Sequence, residues 1–208
     1  MIRTVLRRAR RSRCLLPLGA FALGAVLAGT GAVATWTATT SATNTVSAGT
    51  VLIALGNTGA STNRLTVNAS GLVPGDTVQR SFDLTNTGSQ ALSSVALTTT
   101  ASPSSLLDTD TANGLQMVID RCSVAWTESG SSPAFSYSCS GTTTTVVSSR
   151  PVIQSALTMS GLGALTAGAT DHLRLTLTFP SSAGAGFQGL SSTLTYSFLG
   201  TQRAGTAH

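Results

Sequence analysis

Along residues 172–179 polar and apolar side chains alternate without a break. Leu173, Leu175, Leu177 and Phe179 share one parity, while His172, Arg174, Thr176 and Thr178 share the other. Val78, Phe82 and Leu84 oppose Gln79, Ser81, Asp83 and Thr85 in the same way, and Leu194, Tyr196 and Phe198 repeat the pattern near the C-terminus. A period of two belongs to an extended chain with one buried face, and threonine suits the wet face of a pleated sheet. Further strands are predicted over 50–55, 64–69, 91–99, 115–126, 134–139, 143–147 and 155–159. Turn signals separate them: Pro74-Gly75-Asp76, Asn86-Thr87-Gly88, Gly130-Ser131-Ser132-Pro133 and Pro180-Ser181-Ser182. Only 104–110 offers a helical turn. Many short strands so punctuated predict an all-β fold, a two-sheet antiparallel sandwich.

Within 115–126 the apolar phase changes. Leu115, Met117 and Ile119 fall on one parity; Cys122, Val124 and Trp126 fall on the other. A slip of one residue exchanges the two faces, which predicts a bulge near Asp120 or Arg121.

The N-terminus follows a different pattern. Arg3, Arg7, Arg8, Arg10, Arg11 and Arg13 precede an apolar stretch holding Leu15, Leu16, Leu18, Phe21, Leu23, Val26 and Leu27. Ala32 and Ala34 then place small residues at positions −3 and −1 of a cleavage site before Thr35. These are the parts of a secretory signal peptide, so a signal-peptide helix over 1–34 precedes the sandwich. An uncleaved anchor is the alternative, because no charge occurs between Arg13 and Arg64. The organisation expected is leader 1–34, extended segment 35–49, sandwich 50–201 and tail 202–208. The protein is then secreted, and meets the membrane only through its leader.

Charge must be read with that division in mind. The net charge is +5, yet six of the twelve basic residues lie in the leader, and there is no lysine. From residue 35 onward six arginines face seven acids, a net of −1. No basic patch is left to neutralise phosphates, so nucleic acid is not an expected partner. Serine and threonine supply 62 of the 208 residues, a composition shared with disordered stalks, but the alternation argues for folded strands.

Candidate chemistry is sparse. There is no His-Glu-x-x-His, no Gly-x-Ser-x-Gly and no glycine loop with lysine, and Glu128 is the only glutamate. His172 stands beside Asp171, but neighbours in a strand point to opposite faces, so a solvated histidine is expected there. Asp108-Thr109-Asp110-Thr111-Ala112-Asn113-Gly114 has oxygen ligands at alternate positions, as a calcium loop does. Ala112 and the late Gly114 break the pattern, so an Asx-rich turn is the other reading. Asn68-Ala69-Ser70 is a glycosylation sequon. Once the leader is gone Cys122 and Cys139 remain, an even pair that in an exported protein points to a disulfide, with two buried thiols as the alternative. A bridge across a hairpin pairing 122–126 with 135–139 would put Trp126, Phe135 and Tyr137 on the cysteines' face. No metal and no cofactor is implied.

Two stretches carry a resemblance. Ala34-Thr35-Trp36-Thr37-Ala38 leads to Asn44-Thr45-Val46-Ser47-Ala48-Gly49-Thr50-Val51. Farther on, Leu72-Val73-Pro74-Gly75-Asp76 is followed by Phe82-Asp83-Leu84-Thr85-Asn86-Thr87-Gly88. They resemble the post-signal segment, the Pro-Gly-Asp turn and the Asn-x-Gly hairpin of the TasA/camelysin family of exported bacterial proteins. The resemblance implies a jelly-roll-like sandwich serving as a surface protein or as a fibre subunit of an extracellular, biofilm-type matrix. Camelysin-type members have been called metalloproteases, but no zinc motif here carries that activity over. The chain departs from the family pattern in lacking lysine and the usual Phe-x-Asp, and in adding Cys122 and Cys139.

Three functions compete. A structural subunit is expected to self-associate through its N-terminal segment, with Trp36, Val46 and Val51 as contacts. A binding module for glycans or a protein would use exposed aromatics, for which Trp126, Tyr137 and Trp36 are candidates. A protease is the third. The expectation drawn is a non-enzymatic surface or matrix component.

Overall fold

The structure is a computed structural model that describes residues 49–66, 68, 69 and 71–205. The leader helix, the cleavage residues Ala32, Ala34 and Thr35, and the contacts Trp36 and Val46 lie outside the described residues.

Among the described residues ten strands follow in order: β1 (Ile53–Leu55), β2 (Thr77–Asn86), β3 (Leu92–Ala101), β4 (Gln116–Cys122), β5 (Thr127–Ser131), β6 (Ala134–Ser138), β7 (Thr143–Pro151), β8 (Gln154–Met159), β9 (Thr170–Thr178) and β10 (Leu194–Gln202). One sheet has the order β1-β2-β9-β4-β7, the second β10-β3-β8, and β5-β6 form a separate hairpin. The pairings are antiparallel. The all-β two-sheet sandwich read from alternation is therefore the fold.

Alternation also predicts the layers. Phe82 and Leu84 of β2, Leu173 and Leu175 of β9, and Met117 and Ile119 of β4 are buried against Leu92, Val95 and Leu97 of β3 and Met159 of β8. Each such side chain contributes roughly 1.5–3 kcal/mol by leaving water. One long side of the sandwich is closed by the chain itself, which passes from β7 to β8 through the fully buried Val152.

Several expectations are corrected. Residues 64–66, 68 and 69 form no strand: through Thr66 the chain is turn, joined to β2 by a bridge, Asn63 to Phe82. Asn63 explains this, since its side-chain oxygen accepts from the Leu65 N–H and its amide donates to the Gly56 carbonyl, capturing backbone a strand would need. The strand expected over 50–55 is only three residues long. Residues 50–52 lie instead along the turn after β2, where the Thr50 carbonyl accepts from Ser89 and Gln90 and the Leu52 carbonyl from Thr87 and Gly88. Gly88 permits this approach, because a Cβ there would sit 2.4 Å from the Thr50 carbonyl oxygen. β5 was not expected; it takes in Gly130 and Ser131 of the expected turn, which is left at Ser132-Pro133.

An irregularity does fall beside Asp120, where a bulge was expected, but it is not a slip within β4. β4 runs in unbroken register against β9 from Gln116 to Cys122. The irregularities lie against β7, between Met117 and Ile119 and between Ile119 and Asp120, and the extra residues belong to β7. Accordingly Val146 and Val147, neighbours in sequence, are both buried. The change of apolar phase has another cause: Cys122 is buried on the outer face, beneath the β5–β6 hairpin.

The helical turn is α1 (Leu106–Thr109). Its N-cap Ser105 accepts from the Leu107 N–H, and Asp108 reaches back to the Ser105 N–H, a capping box.

Candidate functional site

The first candidate is the open side of the sandwich. β1 and β10 end their sheets there and do not pair with each other. At Gly200 the two edges nearly touch, since a Cβ would meet Ile53 Cγ2 and Leu92 Cδ1 at 3.1 Å. Beyond that point Ile53, Ala54, Leu55, Leu84, Tyr196 and Phe198 line an apolar slot. β10 is nine residues long and carries neither charge nor proline, the usual devices that blunt an edge strand. Burial pushes the Tyr196 phenol far above its ordinary range, so it stays neutral. Val51, the one predicted contact among the described residues, is 37% exposed just before β1.

The second candidate is the outer face of the larger sheet, where the hairpin lies. Cys122 and Cys139 are joined with a Cα–Cα distance of 5.7 Å. The predicted pairing of 122–126 with 135–139 is corrected: the hairpin pairs Thr127 with Ser138, and Cys122 stays in β4 opposite Thr143 and His172.

Around this hairpin the charged side chains are matched pair by pair. Arg64 donates from Nε and Nη2 to Glu128 at 2.9 and 2.6 Å, and the Tyr137 hydroxyl donates to the same carboxylate at 2.9 Å. Arg174 donates to Asp120 at 2.8 Å, and its guanidinium lies 4.3 Å from the Trp126 ring centre. The Trp126 indole N–H donates to the His172 carbonyl, and the Tyr137 N–H donates to Gln79. Hydrogen bonds from Arg64 hold the Glu128 carboxyl below the usual range despite its burial, and burial raises the Tyr137 phenol.

His172 is not the solvated histidine expected. Its Nδ1 lies 2.8 Å from Asp83 Oδ1, across the strand pair that sets these two residues opposite each other. Asp171 points inward, as strand parity requires, and accepts from the N–H groups of Gly163 and Ala164 and from Arg121. The aromatic platform is corrected too: Tyr137 is buried and Trp126 is half-buried under Arg174. Asp83, Arg64, Glu128, Asp120 and Arg174 were missed by sequence reading. Parity alone put Asp83 and His172 on outer faces, but nothing local announces their register.

The 108–114 segment is used for local structure. Asp108 accepts from Ser104, Ser105 and Ser192, and Asp110 accepts from the N–H groups of Ala112 and Asn113. Among the described residues no three His, Cys, Asp or Glu side chains are grouped to hold a metal ion, and no helix is long and apolar enough to cross a membrane.

An antiparallel sandwich with one open apolar side and a disulfide-anchored hairpin on its outer face defines the class, an all-β sandwich protein. The camelysin metallo-endopeptidase family matches residues 17–207, and the chain belongs to that family. A search of curated proteins finds no match.

Proposed function

We propose that this protein is an exported structural component of the cell surface or extracellular matrix, whose subunits join by strand addition. Residues 35–48 of one subunit extend along the open β1/β10 side of the next. The slot between Leu55, Leu84, Tyr196 and Phe198 carries the proposal. An uncharged, threonine- and valine-containing segment without proline supplies backbone partners for the β10 edge, and its large side chains, Trp36 foremost, fill the slot. Addition from one subunit to the next is heterologous and does not close, so it yields a filament.

The family's description names a metallo-endopeptidase. A catalytic zinc needs about three protein ligands and an open position. The residues present do not fit that group, because all seven acids are already engaged by protein donors. Asp76 accepts from the Val73 N–H, and the other six hold the partners described above. Both cysteines of the exported part are bridged. The reading is therefore of a non-enzymatic subunit.

Electron microscopy and sedimentation of protein starting at Thr35, against protein starting at Ser47, test this reading. Filaments or higher-order species from the longer chain alone are expected. A casein digestion that proceeds and stops with chelator would replace this reading with the protease.

A further inference from the structure

On the outer face, one row of the larger sheet sets three polar or sulfur-bearing side chains side by side. The register sets His172 of β9 opposite Asp83 of β2 on one side and opposite Cys122 of β4 on the other. Residues directly opposed in antiparallel strands have Cβ atoms about 4.5–5.5 Å apart, so carboxylate, imidazole and sulfur stand in line. Asp83 Oδ1 holds His172 Nδ1 at 2.8 Å. Carboxylate, imidazole, sulfur is the order in which a histidine stabilises a thiolate.

The disulfide in this row is asymmetric. Cys122 is 2% exposed, whereas Cys139, one residue past β6, is partly exposed. Cys139 is thus the side of the bond open to an external thiol, and the sulfur that must leave belongs to Cys122, the residue opposite His172 in the register. Thiol–disulfide exchange is faster when the departing sulfur is stabilised as thiolate.

We propose that Cys122–Cys139 is a thiol-exchange site for an external thiol, attacked at Cys139, with Cys122 leaving as a thiolate stabilised by the His172–Asp83 pair. The attacking thiolate gives its electron pair to Cys139 Sγ and forms a mixed disulfide. The Cys122–Cys139 bond breaks, and its pair passes to Cys122 Sγ, which leaves as the thiolate opposite the His172–Asp83 pair. A second external thiol then attacks the mixed disulfide. It leaves Cys139 as a thiol and departs with the first as an oxidised dimer, so two electrons pass from thiols to protein. The charged groups around His172 are Asp83 on β2, Arg174 two residues along β9, and Asp120 of β4, which pairs with Arg174. The exchange frees the β6 end of the hairpin from β4.

The test uses the oxidised full chain with glutathione at neutral pH, following bond opening by alkylation and mapping the adduct by mass spectrometry. Glutathione on Cys139 with Cys122 free to alkylate is expected. His172→Gln and Asp83→Asn should each slow opening about tenfold. Trp126→Phe, which removes the indole bond to the His172 carbonyl but keeps the ring, should open within about twofold of the parent rate. Adduct on Cys122, or opening of folded Asp83→Asn and His172→Gln proteins at or above the parent rate, would overturn the proposal. If His172→Gln does not fold, Asp83→Asn and the adduct position decide it.

Discussion

Arg64 and Glu128, 64 residues apart in sequence, meet in a two-point ion pair that ties the loop before β2 to the hairpin on the sheet's outer face. Phe135 of β6 lies against the same arginine, 4.5 Å from guanidinium carbon to ring centre. The pair therefore anchors the hairpin through β5, at Glu128, one pairing position from the Thr127–Ser138 end that leads into Cys139.

Acid should loosen this anchor. Arg64's hydrogen bonds lower the Glu128 carboxyl, against an opposing effect of burial. A carboxyl lowered in the folded state adds stability that is present above its unfolded value, about 4.3, and is lost as pH falls through the lower folded value. Asp108 behaves alike: burial raises it, but the bonds from Ser104, Ser192 and Ser105 outweigh that and hold it low. Thermal midpoints should hold steady down to about pH 5 and decline below about pH 4. In Glu128→Gln the midpoint should be lower at neutral pH and the acid decline shallower, as read by circular dichroism melts.

Asp108 should matter more than its position in a four-residue helix suggests. It is 4% exposed and collects donors from Ser104, Ser105 and Ser192, thereby joining α1 to the chain entering β10. Asp108→Ala removes a cap and the bonds from the Ser104 and Ser192 hydroxyls, for a loss of about 1–2 kcal/mol in urea unfolding. Asp110→Ala, which affects only an exposed Asx turn, should cost less.

Ala156 in β8 has φ of 46°, a left-handed backbone at a residue with a Cβ. It sits where the pairing of β3 with β8 shifts register between Leu97 and Thr99. That conformation costs a non-glycine residue about 1–2 kcal/mol, and glycine's greater unfolded entropy gives back about 0.5–1. Ala156→Gly should therefore stabilise by about 0.5–1 kcal/mol. Ala156→Val should destabilise, since a β-branched side chain tolerates positive φ least. Urea midpoints of the two variants, moving in opposite directions, would show it.

The disulfide closes a loop of 18 residues, counting from Cys122 to Cys139 at a sequence separation of 17. In the chain-entropy model that closure contributes about 3 kcal/mol. Cys122→Ser with Cys139→Ser should lower stability by about that amount while the sandwich persists, because the core lies on the other face of the sheet. Two alkylatable thiols in the folded protein before any reductant would refute the bridge.

What could be read from sequence divides along physical lines. Strands with one dry and one wet face, such as β2 and β9, announce themselves, because Phe82, Leu84, Leu173 and Leu175 must all turn inward. β4 misled because its end is covered on both faces, so Cys122 and Ile119 are buried on opposite parities. β5 has no alternation, and pairing with β6 makes it a strand. The outer-face pairs stayed hidden for a different reason. Asp83 and His172, or Arg64 and Glu128, depend on register and on where a hairpin folds back, which no local pattern encodes. The capping box of Ser105 and Asp108 is local, and 104–110 was legible as a helical turn.

The last prediction tests assembly at the receiving side. Leu55 lines the slot and is 37% exposed at the end of a three-residue edge strand. A lysine there can send its charge to solvent along a flexible stem, so the isolated subunit should fold with nearly unchanged stability. An arriving strand would have to bury that charge or be displaced by it, and a desolvated, unpaired charge costs several kcal/mol. Leu55→Lys in protein starting at Thr35 should therefore sediment as monomer under conditions where the parent forms higher-order species. Trp36→Ala should weaken association from the donor side, and mixing the two variants should not restore long filaments, since each lacks one half of every junction it would extend. Leu199→Lys is the control: Leu199 is 67% exposed on β10 but on the face turned away from the slot. It should assemble like the parent. If Leu55→Lys assembles as readily as the parent while melting at the same temperature, the strand does not enter between β1 and β10.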